Sequence, residues 1–288
     1  MSGDEDLTRL VAAELAEAVD PRVGAVAAAI AARHPGARAV LFYGSCLREA
    51  QLDGLMLDFY LIVADYRAAF ARRWLAAANR LIPPNVFPFE HGGLIAKYAV
   101  LSEADFTRLN GPETRNVSVW ARFAQPSRLV WAVDEAARGR AAQAISRAAP
   151  TLLAAAGRVD GEAALDWWRR AFALTYSAEL RAERKSRAGS VVDADPERYA
   201  RFSNAVIAAI PTGAPTGGWP MRRLQGKALS IIRLAKAACT YAGGIDYLAW
   251  KINRHAGADI VISPWMRRWP LVAALLLVPR LMWRGAIR

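Results

Sequence analysis

The amino-acid sequence predicts an α+β protein, in which a mixed sheet with helices is followed by a helical C-terminal domain. Several apolar runs of strand length alternate with helical patterns in the first half of the chain. From about residue 134 onward the sequence has helical patterns and almost no strand signal. Apolar residues make up 54% of the chain, which is enough to form a sizeable core. We therefore expect an α/β domain over 1–150, a helical domain over 151–244 and a basic amphipathic segment over 245–288.

Capping and turn residues set the predicted elements in order. Asp20 is a typical N-cap, and Pro21 suits the first position of the helix that follows. Pro83-Pro84 ends a later helix, because proline cannot continue one. Ser102 and Asp105 have the spacing of a capping box at the start of a short helix. The apolar runs and these boundaries predict strands over 38–43, 56–64, 94–101 and 128–133, and helices over 21–34, 66–81, 134–157 and 161–185.

The most informative stretch joins the first two predicted strands. The first strand ends at Gly44-Ser45, and Asp58 lies thirteen residues after Ser45, in the middle of the second strand. A carboxylate inside an apolar strand is costly to bury unless it is paired or binds a metal. A Gly-Ser turn lets backbone N–H groups approach a phosphate closely. Taken singly, Gly44-Ser45 could be an ordinary turn and Asp58 a helix cap, but together they indicate a nucleoside-triphosphate site in a nucleotidyltransferase-like sheet.

Short motifs in consistent order between about residues 40 and 205 resemble those of one family, the mitochondrial-type phosphatidate cytidylyltransferases, or translocator assembly and maintenance proteins. The motifs are Tyr43-Gly44-Ser45, Met56-Leu57-Asp58-Phe59, Lys97-Tyr98-Ala99-Val100-Leu101-Ser102 and Thr175-Tyr176-Ser177-Ala178-Glu179-Leu180-Arg181. Asn116, Arg122 and Pro126 fall in a further similar stretch. There, Gln125 replaces the family's lysine. Tyr60 stands where the general fold pattern has a second acid.

The resemblance implies the reaction of CTP with phosphatidate to give CDP-diacylglycerol and pyrophosphate, a step of phosphatidylglycerol and cardiolipin synthesis. It implies that Asp58 is catalytic and holds Mg²⁺, which would bridge the CTP phosphates. Lys97 would meet the triphosphate or the phosphatidate headgroup, and Glu179 is the candidate for a second acid near the metal. Outside this resemblance, Lys97 could face solvent and Glu179 could belong to a solvated helix face. Nucleotide binding is assigned to Tyr43, Gly44, Ser45 and Arg181.

Charge is concentrated at the C-terminal end of the sequence. Ten of the twelve net positive charges lie in residues 218–288, interleaved with tryptophans. The apolar run 271–278 is too short to span a bilayer, which takes about 20 residues. Basic residues mixed with tryptophan and aliphatic side chains suit an anionic membrane surface, so no nucleic acid is expected as a partner. The alternative is that residues 264–285 form a buried core helix.

The acidic first residues argue against a secretory signal, and two cysteines form no disulfide framework or zinc pattern. Together with the basic, tryptophan-containing C-terminal part and the many alanines and arginines, these features predict a peripheral protein on the cytoplasmic face of a bacterial inner membrane. Two other functions stay open at this point. The chain could be a nucleotidyltransferase that acts on a soluble acceptor or tRNA. It could also be a catalytically dead binding protein, as Tyr60 would allow.

Overall fold

The computed structural model of the chain describes residues 3–49, 52, 54–179, 191–240 and 262–268, and it is an α+β structure. The strands are β1 Ala37–Tyr43, β2 Met56–Val63, β3 Asn85–His91, β4 Leu94–Ser102 and β5 Ser127–Ala132. The helices before β5 are α1 Gly3–Leu15, α2 Pro21–Ala32, α3 Ser45–Glu49, α4 Tyr66–Ala69, α5 Arg73–Leu81, α6 Glu103–Asn110 and α7 Trp120–Phe123. The helices after it are α8 Glu135–Ser146, α9 Ala148–Ala156, α10 Ala164–Ala178, α11 Pro196–Ala208, α12 Trp219–Thr240 and α13 Pro264–Arg268.

The five strands form one mixed sheet in the order β3-β4-β2-β1-β5. β2 and β4 run parallel, whereas the other neighbouring pairs are antiparallel. The register places Tyr43 opposite Asp58 on one side, and Lys97 opposite Asp58 on the other. Three residues singled out from the sequence therefore lie in one row across the centre of the sheet.

Side chains alternate between the two faces of the sheet, and each face has its own core. The first core contains Leu41, Tyr60 and Leu101, and it is covered mainly by α1 and α6 to α11. The second core contains Phe59 and Val100 and packs against α2 and α5. Because Asp58 is two residues from Tyr60 along β2, its side chain projects on the face of the first core.

The first core includes residues from both halves of the chain. Leu7 of α1 belongs to it together with Phe172, Val206 and Trp219. The N-terminal helix α1 packs against both α8 and α11. The core therefore crosses the expected boundary at residue 150, and the division into domains stays a prediction. Most of the expected membrane-associating segment 245–288 lies outside the described residues.

The structure confirms the predicted strands that became β1, β2, β4 and β5. The edge strand β3 was not predicted, because it contains Pro88. Proline is tolerated in a strand only at a sheet edge or a bulge, and β3 lies at the edge. A single helix over 66–81 was wrong, because the extended backbone of Phe70 separates α4 from α5. The helix predicted over 134–157 is also divided, at Arg147. Pro150 has no N–H to donate to the carbonyl four residues earlier, which accounts for this break.

The predicted caps are present at both helices. The Asp20 side chain accepts a hydrogen bond from the backbone N–H of Arg22 at 2.8 Å, at the start of α2. The Ser102 hydroxyl accepts one from the backbone N–H of Asp105 at 3.2 Å, at the start of α6. Among the helices in the described ranges, none has the length and apolar character needed to cross a bilayer.

Candidate functional site

The centre of the candidate site is an ion pair between Asp58 and Lys97. The parallel register of β2 and β4 sets the two residues side by side, and Lys97 Nζ lies 2.9 Å from Asp58 Oδ1. The Lys97 side chain is 28% exposed and that of Asp58 is 22% exposed, so solvent reaches the pair, which is partly shielded. The structure thus brings two of the predicted catalytic residues into direct contact.

Gly44 lies directly against the same carboxylate. Its φ is +99°, a conformation that residues with a side chain rarely adopt. A Cβ atom added there would lie 3.1 Å from Asp58 Oδ2. Ser45 follows as the first residue of α3 and is half-buried. The Gly44-Ser45 turn and Asp58 are therefore adjacent in space, as the nucleotide-site interpretation requires.

Two tyrosines and a half-buried arginine form the inner wall beside this pair. The rings of Tyr43 and Tyr60 are 5.3 Å apart, and the Arg122 guanidinium carbon lies 5.1 Å from the centre of the Tyr43 ring. Arg122 Nη1 also donates to the Tyr60 hydroxyl at 3.2 Å. Burial raises the pKa of Tyr43 well above its ordinary value, so its phenol stays protonated.

The position of Tyr60 explains why β2 carries a single acid. Its ring is only 1% exposed and packs against Phe123 in the first core. A side chain held in this way leaves Asp58 as the one carboxylate that β2 presents to the site. Sequence reasoning noted Tyr60 as a departure, but it did not identify Arg122 as its partner, which lies 62 positions away.

Two cations of α12 border the site and were missed as site residues. Arg233 donates to the Pro83 carbonyl and to the Ser118 hydroxyl, each at 2.9 Å. Lys236 donates to the carbonyl of Pro84 at 2.8 Å and to that of Ile82. Burial lowers the pKa of both side chains, and the repulsion by Arg233 helps bring that of Lys236 to about 7. The sequence signal was their spacing of three residues on one helix face, but the charge of this region was assigned to a membrane surface.

Glu179 lies at the C-terminal end of α10 and interacts with the arginines. Burial alone would lower the pKa of Arg122. The nearby phenols of Tyr43 and Tyr60 and the Glu179 carboxylate favour its charged form more strongly, so the pKa of Arg122 lies well above its ordinary value. The same carboxylate also favours the charged form of Arg233. A carboxylate at a helix C-terminus is unfavourable against the helix dipole, so two nearby guanidinium groups stabilise it there. Its role as a second acid at the metal stays a prediction, and Arg181 lies outside the described residues.

Arg122 and Glu179 thus lie between the row of Tyr43, Asp58 and Lys97 on the sheet and Arg233 of α12. The cations Lys97, Arg122 and Arg233 outnumber the acids Asp58 and Glu179, and Lys236, with a pKa of about 7, adds a partial positive charge. A partly buried site with an excess of positive charge raises the local concentration of anionic ligands. The arrangement therefore suits a ligand with several phosphate groups.

Asp58 fits the predicted Mg²⁺ through the chemistry of its carboxylate. Apart from the ion pair with Lys97, its buried Oδ1 atom accepts no hydrogen bond from the described part of the chain. No group of three or more His, Cys, Asp or Glu side chains suited to a metal is present among the described residues. Mg²⁺ commonly uses one or two carboxylates and completes its shell with phosphate oxygens and water. A single acid is thus sufficient if the substrate supplies the other ligands.

A separate cavity of about 610 Å³ lies between α6 and α8, at the opposite end of the sheet. Ala39 and Ile62 form part of its lining, and none of the predicted site residues does. On its rim, Arg140 is paired with Glu103 at 2.8 Å. Because such charges are already neutralised within the protein, this cavity lacks the unbalanced charge that the Asp58 site has.

No model of a known protein family matches the chain, and no curated protein is significantly similar to it.

Proposed function

We propose that the protein is a nucleotidyltransferase with its active site at Asp58. More particularly, we propose that it transfers a cytidylyl group from CTP to phosphatidate, giving CDP-diacylglycerol and pyrophosphate. The observation that carries the proposal is that the Asp58 carboxylate is paired with Lys97 and lies next to the Gly44 turn. A metal-binding acid, a phosphate-binding cation and a turn open to phosphate are the parts that such a transfer needs. The motif resemblance to the mitochondrial-type cytidylyltransferases supports the choice of substrates.

The chemistry is an in-line displacement at phosphorus. A phosphate oxygen of phosphatidate attacks the α-phosphorus of CTP, the bond to the β-phosphate oxygen breaks, and pyrophosphate leaves with that electron pair. Bound Mg²⁺ would supply charge neutralisation at the triphosphate. Lys97 supplies a positive charge next to the reacting phosphates, and Arg122 and Arg233 add to the positive field behind it.

The absence of a second acid on β2 is compatible with this acceptor. The attacking phosphate oxygen is already an anion, so no side chain must remove a proton from it. A hydroxyl acceptor, in contrast, must lose its proton and gains from a nearby general base. The core position of Tyr60 therefore favours a phosphate acceptor over a hydroxyl acceptor.

We also propose that the protein works as a peripheral protein at the cytoplasmic face of a bacterial inner membrane. Phosphatidate stays in the bilayer, so the active site must approach the lipid surface. The concentration of positive charge and tryptophan in residues 218–288 supports this location.

Pyrophosphate release by the purified full chain tests the proposed function. The assay compares CTP, ATP and GTP, each with and without phosphatidate vesicles, and with tRNA as a second acceptor. We expect release from CTP when phosphatidate and Mg²⁺ are present, and a loss of that release in Asp58→Asn. Arg138→Gln is the matched control, because it removes an exposed ion pair on α8, which contributes none of the site residues. Release that needs tRNA instead of phosphatidate, or no release and no Mg²⁺-dependent CTP binding, would overturn the proposal.

A further inference from the structure

The helix α5 presents an unusual outward face. Arg73, Trp74, Ala77, Arg80 and Leu81 are all exposed. Their spacing of one, three and four residues puts them on one side of the helix. The exposed fraction is 46% for Trp74 and 80% for Leu81, which is high for such large apolar side chains.

The inward face of α5 is fixed to the sheet. Ala76 is buried in the second core, and the Asn79 amide nitrogen donates to the Val100 carbonyl at 2.9 Å. The Asn79 side-chain oxygen also accepts a hydrogen bond from the backbone N–H of Asn85. These contacts set the rotation of the helix, so its exposed face is a property of the fold.

The charge of this surface is of one sign. Arg72, Arg73 and Arg80 are exposed, and none forms an ion pair within the described residues. The sequence has no acidic residue between Asp65 and Glu90. Elsewhere, exposed arginines are commonly paired, as Arg140 is with Glu103. The α5 surface therefore retains its full positive charge for a partner.

We propose that this face of α5 contacts anionic lipid headgroups. The unpaired arginines match the negative charge of such a surface, and tryptophan is enriched at headgroup depth. Leu81 provides apolar area that gains from entering the lipid interface. A nucleic acid could use the arginines and stack on Trp74, but it offers nothing to an exposed leucine. The combination favours a membrane over a nucleic acid.

The loop that follows α5 is joined to α12, which borders the candidate site. Leu81 ends α5, and the carbonyl groups of residues 82–84 accept hydrogen bonds from Arg233 and Lys236. α5 packs on the second core and Asp58 faces the first, so this contact would hold the protein at the membrane without placing the lipid directly over Asp58. The inference deepens the proposed function by naming the surface that faces the lipid, and it rests on that function only for the identity of the lipid substrate.

Sedimentation of the full-length protein with vesicles tests the proposal. The vesicles contain phosphatidylcholine alone or mixed with phosphatidylglycerol. The double variant R73Q/R80Q should bind the mixed vesicles roughly 30-fold more weakly at low salt, since each basic residue near an anionic surface contributes about 1 kcal/mol. W74A/L81A should weaken binding even at high salt, where charge is screened.

The matched control is R9Q/R138Q, which removes the same charge from exposed positions on α1 and α8. These helices cover the opposite face of the sheet, so the control should bind vesicles like the unaltered chain. The proposal is overturned if R73Q/R80Q binds vesicles as the control does. It is equally overturned if that variant loses binding only to a single-stranded oligonucleotide.

Turnover of a short-chain, water-soluble phosphatidate separates this inference from the proposed function. The α5 variants Arg73→Gln and Trp74→Ala lie outside the active site, so their turnover of the soluble substrate should be unchanged. Vesicle binding that depends on α5 without any turnover would contradict the enzyme proposal alone. Turnover with α5-independent vesicle binding would contradict the surface proposal alone.

Discussion

Replacing Lys97 by methionine should reduce turnover far more than it reduces stability. The ion pair with Asp58 is about one-quarter exposed, and pairs with such access to solvent stabilise a protein by about 0–1 kcal/mol. A loss of that size lowers the melting temperature by roughly 2–4 °C for a protein somewhat smaller than this one. Methionine keeps most of the volume of the lysine side chain, so the packing of β4 should be retained.

The expected effect on turnover is larger because Lys97 is held in place before the substrate binds. Its position is set by the β2–β4 register and by the 2.9 Å contact with Asp58. Losing one such preorganised group costs about 2.7–4 kcal/mol of transition-state stabilisation, or roughly 100- to 1000-fold in rate. Pyrophosphate release under single-turnover conditions measures the rate, and thermal unfolding of the same sample measures the stability.

The double variant K97M/D58N distinguishes a functional pair from a structural one. If the two residues only stabilise each other, removing both should restore the melting temperature, and turnover should follow stability. We expect instead that the double variant is folded and inactive, and that the control Arg138→Gln retains full turnover. Wild-type turnover by Lys97→Met would refute the reasoning.

Three further predictions concern the surroundings of this pair. Gly44→Ala should reduce turnover strongly, because its Cβ would crowd Asp58. Gly93→Ala is the control, because Gly93 also has a positive φ, +76°, but open space around an added Cβ, so it should only lower the melting temperature. Equal turnover of the two variants would contradict this. Lys236 has a pKa of about 7 in the fold against 10.5 ordinarily, so across that interval the unfolded chain binds the extra proton and stability should rise with pH. Lys236→Met should lack this part of the rise in melting temperature, and parallel pH profiles would argue against it. Glu179→Gln should raise the Mg²⁺ concentration for half-maximal turnover, and an unchanged Mg²⁺ dependence would leave Glu179 as a partner of the arginines only.

Local sequence patterns were sufficient to predict four of the five strands of the sheet. Apolar runs identified β1, β2, β4 and β5, because a buried strand must be apolar along most of its length. The edge strand β3 escaped because its Pro88 is a strand breaker everywhere except at an edge or bulge, and edge position is a tertiary property. The break at Phe70 escaped for a similar reason, since its buried side chain satisfies the helical pattern and the extended conformation equally well.

In the candidate site, too, the sequence identified some residues, while their contacts became visible only in the fold. Gly44 and Asp58 could be chosen from the sequence, since a carboxylate in an apolar strand needs a physical reason. The contact of Asp58 with Lys97 depends on the strand order and register, which no local pattern specifies. Arg233 was harder still, because its hydrogen-bond partner Pro83 is 150 positions away in the chain. Arg122 was singled out in the sequence only as part of a short resembling stretch, and its contact with Tyr60 was visible only in the fold.

The most direct test of the central claim is to identify the product. Purified full-length protein is incubated with CTP labelled in the cytosine ring, phosphatidate vesicles and Mg²⁺, and the lipid extract is analysed by mass spectrometry. We predict that labelled CDP-diacylglycerol forms with the unaltered chain and not with Asp58→Asn at equal protein concentration. Failure of the unaltered chain to form it, or equal formation by Asp58→Asn, would contradict the assignment of a cytidylyltransferase site to Asp58.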